Sequence, residues 1–396
     1  MHIGIASPIS VQKFIPYLDA DSQKIAKDIY GLKAPAVDTL AIGILNQKHK
    51  VSIYTLSYEV GESITLTGQR LKIFVNPLRK EGLKRAITFF NVESHQIEEN
   101  INKENHKPDI LHAHWTYEYA RGVINFTNKI PTIVTVRDWA PKILQLTPNY
   151  YRFFRLLLNN KIFKQKNVYF VANSQYIQQK IKSRWNINAH YIPNPINLNF
   201  LKEEIKDLRT NQYFISISNN LGKGKNIEVL LKAFNQIQET NPNLRLILAG
   251  TPFVKSNYQI QKWAQKGLLI NVELKGELEH SQLINLYDQS VIMIHPSLEE
   301  SFGNTIIEAM SRKVAVIGGI NSGAVPFLLQ SGNNGLLIDM QSINSIKNSM
   351  LYLLGEKEER QRLIENAYNF TISTFAAEKI VNQTLNLYKN ILNERN

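Results

Sequence analysis

Two glutamates eight residues apart, Glu300 and Glu308, flank Phe302 and Gly303 in the segment PSLEESFGNTIIEAMS, directly after the apolar run VIMIH. The run reads as a strand and the residues from Gly303 or Asn304 onward as a helix. Glu300 then lies in the connecting loop and Glu308 about one turn inside the helix. The amides and positive dipole end at such a helix start favour a phosphate, and a glycine lets the backbone come close to it. Glu308, acceptor-only when ionised, suits the diol of a ribose. A solvated acidic loop before an ordinary helix is the competing reading. A second candidate anion site is SNNLGKGKN, residues 218 to 226, where Gly222 and Gly224 permit tight backbone and Lys223 and Lys225 bring point charges for a diphosphate. A surface turn with solvated lysines is its plain alternative. The run Gly318-Gly319-Ile320-Asn321-Ser322-Gly323 offers backbone amides to a sugar or phosphate. Neither G-x-x-x-x-G-K-[ST] nor G-x-G-x-x-G occurs, which argues against a P-loop NTPase and against a dinucleotide-binding dehydrogenase.

In the first half, DILHAHW puts His112 and His114 at the end of a predicted strand, on one face because strand side chains alternate. Such a pair could bind a metal, yet no third ligand is suggested nearby. The carboxyl end of a strand in an α/β sheet is where ligands gather, and that favours a role at a site over a packed core histidine. TVRDWAP brings Arg137 and Asp138 to the end of the next strand, on the same rim.

These residues need a frame to hold them. The runs 3 to 7, 51 to 56, 71 to 75, 109 to 113, 132 to 136 and 168 to 171 read as short strands separated by amphipathic helical patterns, the first helix spanning Val37 to Leu45. The second half repeats the grammar with 213 to 218, 244 to 249, 272 to 275, 291 to 295 and 314 to 317. Strands alternating with helices imply parallel sheets covered on both faces. The chain has 396 residues, two to three times a typical domain. We therefore expect a first domain over 1–196, a polar linker over 197–211 and a second domain over 212–372. A long terminal helix, about 373–396, follows no strand and is expected to bury its apolar face on the first domain.

Charge is unevenly placed. Of the net +13, residues 1 to 196 hold 26 basic and 14 acidic side chains, and between Asp138 and Glu203 no acid occurs. That field attracts an anionic partner. The segment YYRFFRLLLNNKIFK, 150 to 164, reads equally as an interfacial helix on anionic lipid or as core with a solvated basic rim. Cysteine is absent, so disulfides, thiolate nucleophiles and Cys-ligated zinc are excluded. No apolar run is long enough to span a bilayer. The start MHIGIASPIS lacks a signal-peptide pattern, from which a cytoplasmic location, peripheral at the inner face of the membrane, is expected.

The assembly resembles glycosyltransferase family 4 over nearly the whole chain. The resemblance rests on the E-x7-E motif (Glu300, Phe302, Gly303, Glu308, Ala309, Met310), on HAHW, on IPNP at 192 to 195 and on the lysine-bearing loop before NIEVLLKAF. It implies the GT-B fold, two Rossmann-like domains facing across a cleft, and a retaining, metal-independent transfer of a sugar from a nucleotide-diphosphate donor. It further implies that Glu308 holds the ribose and that Ser301 with the backbone of Phe302, Gly303, Asn304 and Thr305 holds the diphosphate. Asn220, Lys223 and Lys225 belong to the same nucleotide-sugar site, Lys225 neutralising the leaving group. Glu300 and His114 contact the donor sugar, while Gly31, Arg137 and Asp138 fall on the acceptor side. Where the family writes G-R-[LF], Asn219, Asn220 and Leu221 stand here, and Lys223 is the candidate to replace that arginine.

No cofactor is expected beyond the donor substrate, and no metal. Expected partners are a nucleotide sugar, a sugar or lipid-linked acceptor and an anionic membrane surface, in surface polysaccharide or glycolipid synthesis. Nucleic acid is not among them, because no recognition motif accompanies the basic half. A hydrolase or epimerase of similar fold, or a non-catalytic nucleotide-sugar-binding protein, would share the donor site.

Overall fold

The computed structural model describes residues 1–202, 204–205 and 213–395. The chain forms two compact units, one of Met1–Asn197 with Ala377–Asn396, the other of Leu198–Ala376. Of the expected linker 197–211, residues 203 and 206–211 lie outside the described residues. The part before them is not a free linker. Leu198–Lys202 is helical, and Phe200, 1% exposed, packs edge-on against His280 and Tyr287 within the second unit.

The first unit holds an eight-stranded sheet: β1 His2–Ala6, β2 Lys50–Ser57, β3 Ile64–Thr67, β4 Leu71–Pro77, β5 Ile110–His114, β6 Thr132–Val136, β7 Val168–Ala172 and β8 His190–Tyr191. Its order is β3-β4-β2-β1-β5-β6-β7-β8, parallel except for the β3–β4 pair. The β1, β5 and β6 strands are buried along their whole length, as central parallel strands covered on both faces are, so the histidines of β5 and the threonines of β6 lie inside with their apolar neighbours. The strands β3 and β8 went unread because four-residue and two-residue edge segments carry too little periodicity.

The second unit has six parallel strands: β9 Tyr213–Ile217, β10 Arg245–Ala249, β11 Val272–Gly276, β12 Ser290–His295, β13 Ala315–Gly319 and β14 Leu336–Ile338, in the order β11-β10-β9-β12-β13-β14. In each unit the chain builds one side of the sheet and then crosses over to the other. The reversal falls between β1 and β5 in the first unit and between β9 and β12 in the second. Loops diverge there, and the crevice at the carboxyl ends of those strands is where such sheets bind ligands.

The terminal helix packs on the first unit as expected, but it begins at Ala377: the preceding helix, Lys357–Phe375, ends at a break at Ala376, where φ −54° and ψ 131° leave the helical region. That preceding helix stays with the second unit, where the Phe375 ring meets Phe302 edge-on at 5.6 Å. The terminal one, Ala377–Arg395, packs on the helix Pro35–Asn46 of the first unit. Gly43 makes that approach possible, since a Cβ there would fall 2.4 Å from Val381 Cγ2.

Candidate active site

The second unit gathers most of the predicted donor-site residues at its switch point. The loop after β9 folds into a short turn, Lys223–Lys225, shaped by Asn220, whose Oδ1 accepts the Gly222 amide at 3.1 Å. The Leu298 amide donates to the Gly224 carbonyl at 2.7 Å, tying this loop to the one after β12. Lys225 Nζ then lies 3.0 Å from Glu300 Oε2. His295, the last residue of β12, reaches the same oxygen through Nε2 at 3.2 Å, and its Nδ1 lies 3.4 Å from Thr305 Oγ1. Burial alone would raise the Glu300 pKa. The Lys225 charge and the His295 hydrogen bond outweigh it and hold the carboxyl down at about 2. Glu300 is therefore a fixed carboxylate at neutral pH.

Two glycines make this packing possible. Gly323 (φ 61°) follows β13 in the third glycine-bearing segment, and its missing side chain leaves room for the Glu300 carbonyl, which would sit 2.3 Å from a Cβ. The Ala324 amide caps that carbonyl at 2.8 Å. Gly303 (φ 106°) is the cap of the helix Asn304–Ser311 and has no side chain of its own to cover the first amides of that helix. Phe302 turns inward as core, and its contribution to a ligand is confined to its backbone. One turn inside, Glu308 Oε2 accepts from the buried Tyr287 hydroxyl at 3.2 Å, and that hydroxyl also lies 3.2 Å from the Thr305 carbonyl. Ser301 and Thr305 are half-buried around this turn, whereas Lys223 and Asn304 stand exposed.

In the first unit His112 and His114 share a face of β5, ring centroids 4.2 Å apart. They have different surroundings. Both His112 nitrogens are engaged, Nδ1 by Tyr388 Oη and Nε2 by Thr135 Oγ1, each at 2.6 Å. Burial, reinforced by the Arg137 charge, keeps its pKa down at about 3, so it stays neutral. A histidine held by two hydroxyls is a structural member of the pair and an unsuitable metal ligand. His114 Nδ1 instead faces Arg137, with Nε at 3.2 Å and Nη2 at 3.0 Å, while Arg137 Nη1 donates to Asn194 Oδ1 at 2.6 Å. Asp138 accepts from Tyr117 at 2.9 Å, and burial raises its pKa against the pull of Arg155. Gly31 (φ 72°) bridges Ser10 just beyond β1 and donates its amide to Glu59 at 2.9 Å.

Sequence reasoning missed His295 and Tyr287. The strand-end argument that selected His114 applies equally to His295. Nothing in the sequence links Tyr287 to Glu308, which lies 21 residues on.

Two family models cover this chain. One described as Glycosyltransferase Family 4 matches residues 36–200, and one described as Glycosyl transferases group 1 matches residues 200–370. The chain is a family 4 glycosyltransferase. This glycosyltransferase is 25% identical to an uncharacterised glycosyltransferase of Methanocaldococcus jannaschii over 78% of its own length and 82% of the relative's. Its fold is of the GT-B type. A sucrose-phosphate synthase from Thermosynechococcus elongatus superposes with a TM-score of 0.79 at 17% identity, covering all of both chains. An Anabaena protein solved in complex with UDP and glucose gives 0.70 at 16% identity, over 98% of this chain and 100% of that one.

Proposed function

We propose that the second unit binds a nucleoside-diphosphate sugar and that the enzyme transfers the sugar, with retention at the anomeric carbon, to a hydroxyl of a saccharide or lipid-linked acceptor in surface polysaccharide or glycolipid synthesis. The observation that carries this reading is the meeting of Lys225, Glu300 and the glycine-led start of Asn304–Ser311 at the β9/β12 switch point. Departure of the nucleotide leaves extra negative charge on its diphosphate, and preorganised donors around that charge lower the barrier. Lys225 and the helix-start amides are such donors, so the charge can be met without a divalent ion. Glu300, permanently ionised, accepts hydrogen bonds from sugar hydroxyls and holds no proton to give. Glu308, oriented by Tyr287, takes the ribose. His114, on the first unit, offers a hydrogen-bond donor to a saccharide, and acceptor attack from the leaving-group face completes a retaining transfer.

The experiment is a screen of nucleotide diphosphates for thermal stabilisation, followed by turnover of the matching nucleotide sugar with and without hydroxyl acceptors. Acceptor-dependent product of unchanged anomeric configuration is expected. Donor consumption independent of any acceptor would mark a hydrolase or epimerase, and tight binding without turnover a sensor.

A surface of the first unit favours a membrane-borne acceptor. The helix Tyr150–Phe163 starts where Asn149 Oδ1 caps the Arg152 amide, and it buries Tyr151, Leu158 and Ile162 in the core. Its other face leaves Tyr150, Phe153 and Leu157 exposed at i, i+3 and i+7. The helix Leu83–Ile87, packed against it, exposes Leu83 and Ile87. Lys80, Lys84, Lys161 and Lys164 stand exposed on or beside these helices. Apolar stripes edged by lysines suit an anionic bilayer. Arg155 does not join them, because it stacks over Tyr117 at 3.8 Å and lies 3.7 Å from Glu118. Binding to vesicles containing phosphatidylglycerol should weaken with salt and fall at least several-fold in Phe153→Ser/Leu157→Ser. Equal partitioning onto neutral and anionic vesicles would remove the membrane assignment.

A further inference from the structure

Arg137 is a half-buried guanidinium whose partners among the described residues are all neutral. Three of its N–H directions are spent on His114 Nδ1 and Asn194 Oδ1, and its charge lies over the Trp115 ring at 5.4 Å. No carboxylate among the described residues lies within salt-bridge distance of it. A guanidinium has five donors and no acceptor. An imidazole nitrogen faced by two of those donors must offer its lone pair, since a proton there would point at other protons. The neutral imidazole then carries its hydrogen on Nε2. That atom is fully buried and meets no acceptor among the described residues.

We propose that Arg137 is a positioning residue that fixes His114 as the neutral tautomer with its proton on Nε2, so that His114 serves only as a hydrogen-bond donor and never as a base. This rests on the reading above in one respect: the oxygen that receives the Nε2 proton belongs to a saccharide. Asn194 holds the guanidinium from the far side, which gives the asparagine of IPNP a physical task. The groups facing His114 all act in one direction. Burial disfavours the imidazolium, His112 stacks 4.2 Å away on the same strand, and Arg137 approaches from the end of β6. The His112 ring is itself held by Tyr388 from the terminal helix and by Thr135 from β6, neither of them charged at neutral pH.

The test is ring-nitrogen NMR on the full-length protein labelled with ¹⁵N-histidine, from pH 5.5 to 8.0, with the His114 signals assigned by their loss in His114→Asn. A protonated Nε2, a bare Nδ1 and no titration in that range are expected. Arg137→Met should give a mixture of tautomers and lower kcat about tenfold, the loss of one hydrogen bond to the reacting group, with donor KM within about twofold. Arg137→Lys, which keeps one donor on Nδ1, should restore the Nε2 tautomer and most of kcat. A wild-type proton on Nδ1, titration of His114 between pH 5.5 and 8.0, or an unchanged tautomer in Arg137→Met would each overturn the proposal. Should Arg137→Met not fold, the wild-type spectrum and Arg137→Lys still decide. The spectrum does not depend on turnover. The expected tautomer in a protein that transfers no sugar would sink the functional reading and leave this one standing.

Discussion

The two units place charge at their switch points in opposite ways. In the second, Lys225 and Glu300 neutralise each other at 3.0 Å, with His295 as a third partner. In the first, the partners of the Arg137 charge among the described residues are neutral: the acceptors of His114 and Asn194 and the Trp115 ring. A matched pair keeps a lysine fixed and ready until a stronger anion arrives. An unmatched guanidinium instead acts on its neighbour, dictating where the imidazole carries its proton. The difference teaches that one sheet architecture can prepare a site either by storing charge in a pair or by using charge to choose a tautomer.

The largest expected effect breaks the stored pair. Lys225→Met should lower kcat by about 10²–10³, the size found when one preorganised donor to a developing anion is removed. Glu300→Gln should lower turnover by a similar factor while changing nucleotide affinity less than threefold, as read by steady-state kinetics and calorimetric titration with the nucleotide diphosphate. If both variants bind and turn over donor as the wild type does, the second unit's cluster is a structural ion pair and the contrast with the first unit disappears.

Acidification should sharpen the contrast, because the two clusters respond in different pH windows. Folded His112 and His114 have pKa values below 6.5, so the stability they contribute is complete above pH 6.5 and is lost as the pH falls toward the folded values, about 3 for His112. The expected loss is about 1.4 kcal/mol per pH unit for each histidine. Glu300 behaves later. Its folded value near 2 lies below the ordinary 4.5, so its contribution persists above pH 4.5 and goes as the pH drops to 2. Between pH 6.5 and 5, hydrogen exchange should therefore quicken in β5 and β6 before it does in β9 and β12. The reverse order would refute the assignment of neutral buried histidines.

Smaller effects are expected deeper in the second unit. Glu308→Ala should weaken nucleotide affinity about tenfold through loss of a charged hydrogen-bond acceptor. Tyr287→Phe, which removes only the hydroxyl that orients Glu308, should weaken it about threefold. An effect of Tyr287→Phe larger than that of Glu308→Ala would mean that the tyrosine contacts the ligand itself.

The glutamate pair, the lysine loop and the strand-end histidine could all be read from the chain, because helix starts, glycines and strand ends announce themselves over a few residues. The central strands were legible for the same reason: β6 spans Thr132–Val136 as read, and β5 and β12 differ by a residue at one or both ends. The break at Ala376 was hidden, since FTISTFAAEKIVNQTLNLYKNIL keeps helical periodicity straight through it. It shows only in the backbone and in which unit each half packs against.

By itself the sequence determined the central strands, the loops that follow them and the residue types those loops present, since these depend on local periodicity and backbone preference. Which partner each charged or titratable group would meet was decided by tertiary structure alone. Glu300 and Lys225 are 75 residues apart, His114 and Arg137 are 23 apart, and His112 and Tyr388 are 276 apart. Hydrogen bonding and Coulomb attraction act over a few ångströms, and only the order of the parallel strands and the packing of the terminal helix on them bring such distant residues within that range.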